Sequence, residues 1–138
     1  MIVLDASFLV KLVIEEQSST ESRTFLKKAL SLGEEAATVD IALAEVLNAL
    51  WKHVTLIGDL GRDDYKNAVQ DLLKLWSKLE IFSTYELAAE AAQIAFEDRI
   101  TIYDALYITT ALKLGAKLIT FDNKLKEKAV MRAISTYP

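Results

Sequence analysis

The chain predicts one three-layer α/β domain: a parallel sheet of four to five short strands flanked by helices. Three observations carry that prediction. Short runs of consecutive apolar residues alternate with longer amphipathic segments, the order that builds βαβ units. At 138 residues there is room for one full core and no second. No internal repeat, linker or low-complexity stretch interrupts the chain, so residues 1–138 read as a single domain.

Taken in order, Met1-Ile-Val-Leu-Asp5 is a buried strand, because consecutive apolar residues suit a parallel strand covered on both faces. Ser7 to Glu15 is a first helix. Ser18-Ser-Thr-Glu21 has capping-box form and opens a second, which runs to about Leu32 and stops at Gly33. Ala36 to Val39 is the second strand. Asp40 is placed to cap a long helix to about Ile57, stopped by Gly58, with Leu43, Val46, Leu47, Leu50, Trp51, Val54 and Ile57 as its apolar stripe. Arg62 to Leu79 repeats that periodicity, so these two helices are expected to form an antiparallel hairpin. Glu80-Ile-Phe82 is a third strand and Thr84 to Asp98 an Ala-rich helix suited to close packing. Thr101 opens a helix through Tyr103, Asp104 and Tyr107 to Leu114, ended by Gly115. Lys117-Leu-Ile-Thr-Phe121 is a fourth strand, Asp122 caps a short helix, and Ile134 to Tyr137 is an edge strand.

Composition narrows the function classes. The chain is 52% apolar and 26% charged, with a mean hydropathy of +0.21, which excludes disorder and suggests some apolar surface buried against another chain. The nearest candidate for a bilayer span, Phe8 to Ile14, is short and contains Lys11. The N-terminus has no basic leader region, and the absence of Cys removes disulfides, thiolate metal sites and Cys nucleophiles. The expected compartment is cytoplasmic. Twenty acids stand against 16 bases, for a net charge of −4. If four acids hold metal, 16 remain against 16, and bound cations reverse the local sign. Lys113, Lys117, Lys124, Lys126, Lys128 and Arg132 also make the last stretch basic. Acidity overall is therefore compatible with a nucleic-acid substrate.

Active sites of open α/β sheets gather at the carboxyl ends of the strands. Asp5 and Asp122 end strands there, Glu45 lies about a turn into the helix after the second strand, and Asp104 lies in the first turn of the helix feeding the fourth. Each has a structural alternative. Asp5 and Asp122 are plausible helix caps, Asp104 completes Thr101-x-x-Asp104, and Glu45 suits a solvated helix face. Together they converge on one sheet edge, where like charges repel unless a cation is present. His53, the only His, reads as a surface residue outside the chemistry.

The stretches Val3-Leu-Asp-Ala-Ser7, Ala44-Glu-Val-Leu-Asn-Ala49, Tyr103-Asp-Ala-Leu-Tyr107 and Leu118-Ile-Thr-Phe-Asp122 resemble the four acidic motifs of the PIN-domain family. The resemblance is greatest to the VapC-type toxin ribonucleases of VapBC toxin–antitoxin systems, and it covers essentially the whole chain in order. It implies that Asp5, Glu45, Asp104 and Asp122 are the catalytic quartet, with Ser7, Thr120 and Asn123 as supporting groups. Asp5, Asp104 and Asp122 are the expected metal ligands. An all-carboxylate set suits Mg²⁺ or Mn²⁺. The implied activity is metal-dependent endonucleolytic cleavage of RNA, with a cognate antitoxin and a homodimer as expected partners. A catalytically silent partner-binding module and a DNA-directed nuclease of the same fold are the alternatives. A receiver-like phosphoacceptor is disfavoured, because Asp5 lacks an acidic neighbour.

Overall fold

The computed structural model describes residues Met1–Pro138. Five strands, β1 (Ile2–Leu4), β2 (Ala36–Val39), β3 (Glu80–Phe82), β4 (Lys117–Ile119) and β5 (Thr136–Tyr137), form one sheet in the order β3-β2-β1-β4-β5. Every pairing is parallel. Seven helices connect them: α1 (Ala6–Val13), α2 (Ser19–Ser31), α3 (Ile41–Lys52), α4 (Arg62–Trp76), α5 (Thr84–Asp98), α6 (Ile102–Leu114) and α7 (Asn123–Met131). Right-handed crossovers put α1 to α4 on one face, because β1, β2 and β3 step in one direction. The return from β3 to β4 puts α5 and α6 on the other. This is the expected three-layer architecture, and the reversal of direction makes β1–β4 the switch point of the sheet.

The core is a continuous apolar layer on both faces. β1 and β2 are wholly buried, and Phe8, Leu9, Leu50, Leu72, Leu106 and Ile108 close over the sheet with at most 1% exposure. The helix α6 lies across β2, β1 and β4 and is buried from Ala105 to Ala111. Phe8 stacks on Phe121 at 6.0 Å and meets Phe25 edge-on at 5.9 Å. No helix is long and apolar enough to cross a membrane.

Several local expectations are corrected. Ser18 does not cap α2: it is left-handed (φ 70) and forms no side-chain cap. Ser19 takes over the junction, accepting from the Glu16 N–H at 3.0 Å and donating to the Ile14 carbonyl at 2.8 Å. Nor does Asp40 cap α3. Its carboxylate reaches across to Thr84, accepting from the N–H at 2.9 Å and from the hydroxyl, and so joins the end of β2 to the start of α5. The capping box that does form is Ser83–Glu86.

The long third helix changes its winding: α3 ends at Lys52 and continues as a π-helical turn, His53–Ile57, closed by left-handed Gly58. The α3 and α4 helices touch, but each also packs on α1, so their apolar stripes split. Val46, Leu50, Ala68 and Leu72 are buried, whereas Trp51, Ile57 and Leu73 are 44%, 62% and 51% exposed. β4 stops at Ile119, two residues early, because Thr120 and Phe121 turn into the carboxyl edge.

Candidate active site

Asp5 is the anchor of that edge. It leaves β1, caps α1 by accepting from the Phe8 N–H at 2.9 Å, and is only 3% exposed. Two hydroxyls donate to its carboxylate: Ser7 at 2.7 and 2.9 Å, and Thr120 from across the switch point. The same two hydroxyls accept from the next chain segment. Ser7 takes the Phe121 N–H at 2.9 Å, and Thr120 takes the Asp122 N–H at 3.0 Å. The β1–α1 and β4–α7 turns are thereby stitched through one carboxylate. Burial pushes Asp5 up to about 6; the bonds from Thr120, Ser7 and Phe8 oppose this, and the Asp122 charge adds to it.

Asp122 stands exposed at the start of α7, which it caps by accepting from Leu125 at 3.1 Å. Asp104 sits in the first turn of α6, whose cap is Thr101. Burial and then the Asp122 charge raise its carboxyl. Glu45 projects from α3, half-buried. Its carboxyl is raised by burial and by the Asp104 charge, against a hydrogen bond from Tyr107 at 2.8 Å. The Asp122 charge thus acts on Asp5 and Asp104 and the Asp104 charge on Glu45, and none of the four acids is ion-paired with a lysine, arginine or histidine.

Capping and clustering are not rival readings here. Asp5 and Asp122 each use one oxygen to cap a helix, which fixes the carboxylate at the edge. No three acids converge on one point at coordination range, so the arrangement is an open rim rather than a closed cage.

Of the supporting residues, Ser7 and Thr120 are held against Asp5. Asn123 is exposed on the first turn of α7 beside Asp122 and is not held against Asp5. His53 bonds Asp59 through Nδ1 at 2.8 Å, with Nε2 3.7 Å from Glu16, and touches none of the four acids. The residue that sequence reading missed is Tyr107. It is 2% exposed, its hydroxyl is spent on Glu45, and burial followed by the Glu45 charge keeps that hydroxyl protonated. The signal was present: a tyrosine in a run of buried residues, three positions after Asp104, needs a polar partner.

The family model for the PIN domain matches residues 2–131. The chain is a PIN domain. It is 35% identical over 127 residues to Ribonuclease VapC3 of Pyrobaculum aerophilum, covering 92% of this chain and 93% of that protein. Exonuclease VapC9 of the same organism is 34% identical over 95 residues, covering 69% of this chain and 68% of its own length. A crystal structure of a Pyrobaculum aerophilum protein superposes on this PIN domain with a TM-score of 0.72, at 28% identity over 98% of this chain and 82% of that one. The kinship with VapC ribonucleases expected from the four motifs is borne out.

Proposed function

We propose that this PIN domain is a divalent-metal-dependent ribonuclease that cuts RNA internally, and that it is the toxin of a cytoplasmic toxin–antitoxin pair. One observation carries the reading: four carboxylates from four separate elements share one sheet edge without a protein cation. Such an arrangement is costly in a chain that only binds partners, since each charge raises the free energy of the next. It suits a nuclease.

The donor set fits Mg²⁺ or Mn²⁺. All its atoms are oxygens, and an open rim matches ions that retain waters and take only one or two carboxylates directly. Asp5, Asp104 and Asp122 would hold the ion, directly or through water. When bound, it supplies Lewis-acid charge at the phosphate and a more acidic water. Asp5 is pre-oriented by Ser7 and Thr120, so little rotamer freedom remains to be lost on loading. Glu45, fixed by Tyr107, would complete a second metal position or orient the attacking water, and Asn123 beside Asp122 would be a supporting amide near the metal.

Two surfaces support the partners. On α5, Tyr85 and Phe96 are 93% and 83% exposed, with the exposed alanines Ala88, Ala89 and Ala92 between them on the same face. That stripe suits a second copy of the chain. A groove between α1, α2 and α4, lined by Leu12, Leu26, Leu30 and Leu75 with Arg23 and Lys27 at its side, suits the apolar face of an antitoxin helix.

The test is incubation of purified protein with end-labelled single-stranded RNA. Internal products with Mg²⁺ or Mn²⁺, and none in excess chelator, are expected. Stepwise loss from one end would make it an exonuclease, as its relative VapC9 is named. Equal cutting of single-stranded DNA would move the reading to a general nuclease. Undiminished cleavage in chelator would sink the metal mechanism.

A further inference from the structure

Four carboxylates repel a polyanion, and a metal relieves this only at the phosphate being cut. The strand on either side still needs a cation. Beside Glu45 a cleft of about 290 Å³ opens between α1 and α3, with Asn48 and Lys52 on its wall. We propose that this cleft is a subsite for a backbone phosphate of the substrate strand, next to the scissile one, with Lys52 as its cation and Asn48 as its amide donor. The inference rests on the nuclease reading and adds to it the direction in which the strand leaves the acids.

Helical periodicity sets the geometry. Glu45, Asn48 and Lys52 are related as i, i+3 and i+7, so they lie along one face of α3 over two turns, about 10 Å. Lysine stems on a helix lean toward its N-terminus, which brings the Lys52 ammonium back toward Glu45. Ala6 on the α1 wall and Ala49 on the α3 wall are small and leave the space open. Ser7 lines it too, but its hydroxyl is already committed to Asp5 and to the Phe121 N–H. The free polar groups of the cleft are therefore those on α3.

Lys52 is also the cation that remains available. It is exposed and enters no ion pair. Lys11, on α1, is bound to Glu16 at 3.2 Å and to the Gln17 carbonyl at 2.8 Å, and lies 4.7 Å over the Phe121 ring. The position of Lys52 near the end of α3 would disfavour an anion if the helix stopped there, because free carbonyls gather at a C-terminus. It does not stop: the π turn carries the hydrogen-bond ladder on to Ile57. The next residue, His53, ties this point to Asp59 and Glu16, so the Lys52 backbone is held in place.

The experiment measures binding of a single-stranded RNA oligonucleotide to the full chain, silenced by Asp104→Asn, across a salt series. Lys52→Ala is compared with Lys113→Ala at the far end of α6. Lys52→Ala is expected to weaken binding several-fold and to lower the slope of log K against log salt by about 0.7, the value for one phosphate of a single strand. Lys113→Ala should leave both unchanged, and Lys52→Arg should restore the slope. In the active chain, Lys52→Ala should raise KM with kcat retained. A Lys52→Ala slope and affinity equal to those of Lys113→Ala would overturn the subsite, as would a fall in kcat with binding intact. Absence of RNA binding and cleavage by every version, wild type included, would refute the nuclease reading itself.

Discussion

Carboxylates cluster in two regions of this chain, and the fold treats them in opposite ways. Where α5 ends, Asp98 and Glu97 face Arg132 from the end of α7. The guanidinium meets Asp98 with two bonds, of 2.6 and 2.9 Å, and Glu97 with one of 2.9 Å. Arg132 holds the Asp98 carboxyl below its ordinary range, and Gln93 and then Arg132 do the same for Glu97. At the carboxyl edge of the sheet, Asp5, Glu45 and Asp104 are all raised, with burial as the largest cause. The first cluster is a structural clasp whose cation is built in. The second lacks a cation from the chain, and the residues around it supply hydroxyls and N–H groups that orient charge without neutralising it. An acidic cluster becomes informative about function once its counter-charges have been sought and found missing.

Substitution at the rim breaks the comparison most severely. Asp104→Asn should reduce RNA cleavage by at least about 10²-fold, since even groups behind a metal ligand are worth 10- to 100-fold. It should also raise the melting temperature of the metal-free chain slightly, because repulsion with Asp122 and Glu45 falls. A large drop in melting temperature would instead make the residue a structural one.

The second effect is pH dependence. Asp5 moves from an ordinary 3.8 to about 6 in the folded chain, so the native state binds its proton more tightly than the unfolded state does. The stability contributed by protonation is complete below about 4 and is lost as pH rises through about 6. The span corresponds to roughly 2–3 kcal/mol from one group. Denaturant unfolding between pH 4 and 7 should show that decline, and Asp5→Asn should flatten it.

Third, Arg132→Ala should lower the melting temperature by a few degrees and leave cleavage unchanged, because the clasp is half-buried at the surface and joins the far ends of α5 and α7 rather than the rim. The smallest effect is that of added Mg²⁺ on the wild-type melting temperature. It should rise by a degree or two at millimolar ion, through binding to the native state alone, and should not rise in Asp104→Asn.

Much of this was legible in the sequence. Strand positions and helix order follow from periodicity, and the nearness of Asp5, Glu45, Asp104 and Asp122 from the rule that sites gather at strand carboxyl ends; the role proposed for them came from the resemblance of the four motifs. What stayed hidden depends on partners far along the chain. Asp40 has the composition of a cap, yet it serves Thr84 44 residues away, and no local pattern reveals that. Trp51 and Leu73 satisfy the helical stripe but are exposed, because α1 takes the inner side of both helices. Tyr107 and Glu45 are 62 residues apart, so their bond becomes visible only when α6 is laid across the sheet. The π turn at His53–Ile57 has no glycine or proline within it to announce it.

The switch point also sets a clock. Asp5 is synthesised 115 residues before its Thr120 partner, and β1 gains its neighbour β4 only when residues 117–119 arrive. At a translation rate of about 5–20 residues per second, roughly 6–23 s separate the Asp5 carboxylate from its completed setting. A nascent or truncated chain that ends before Asp122 therefore has no assembled rim, and the four acids meet only in the completed fold.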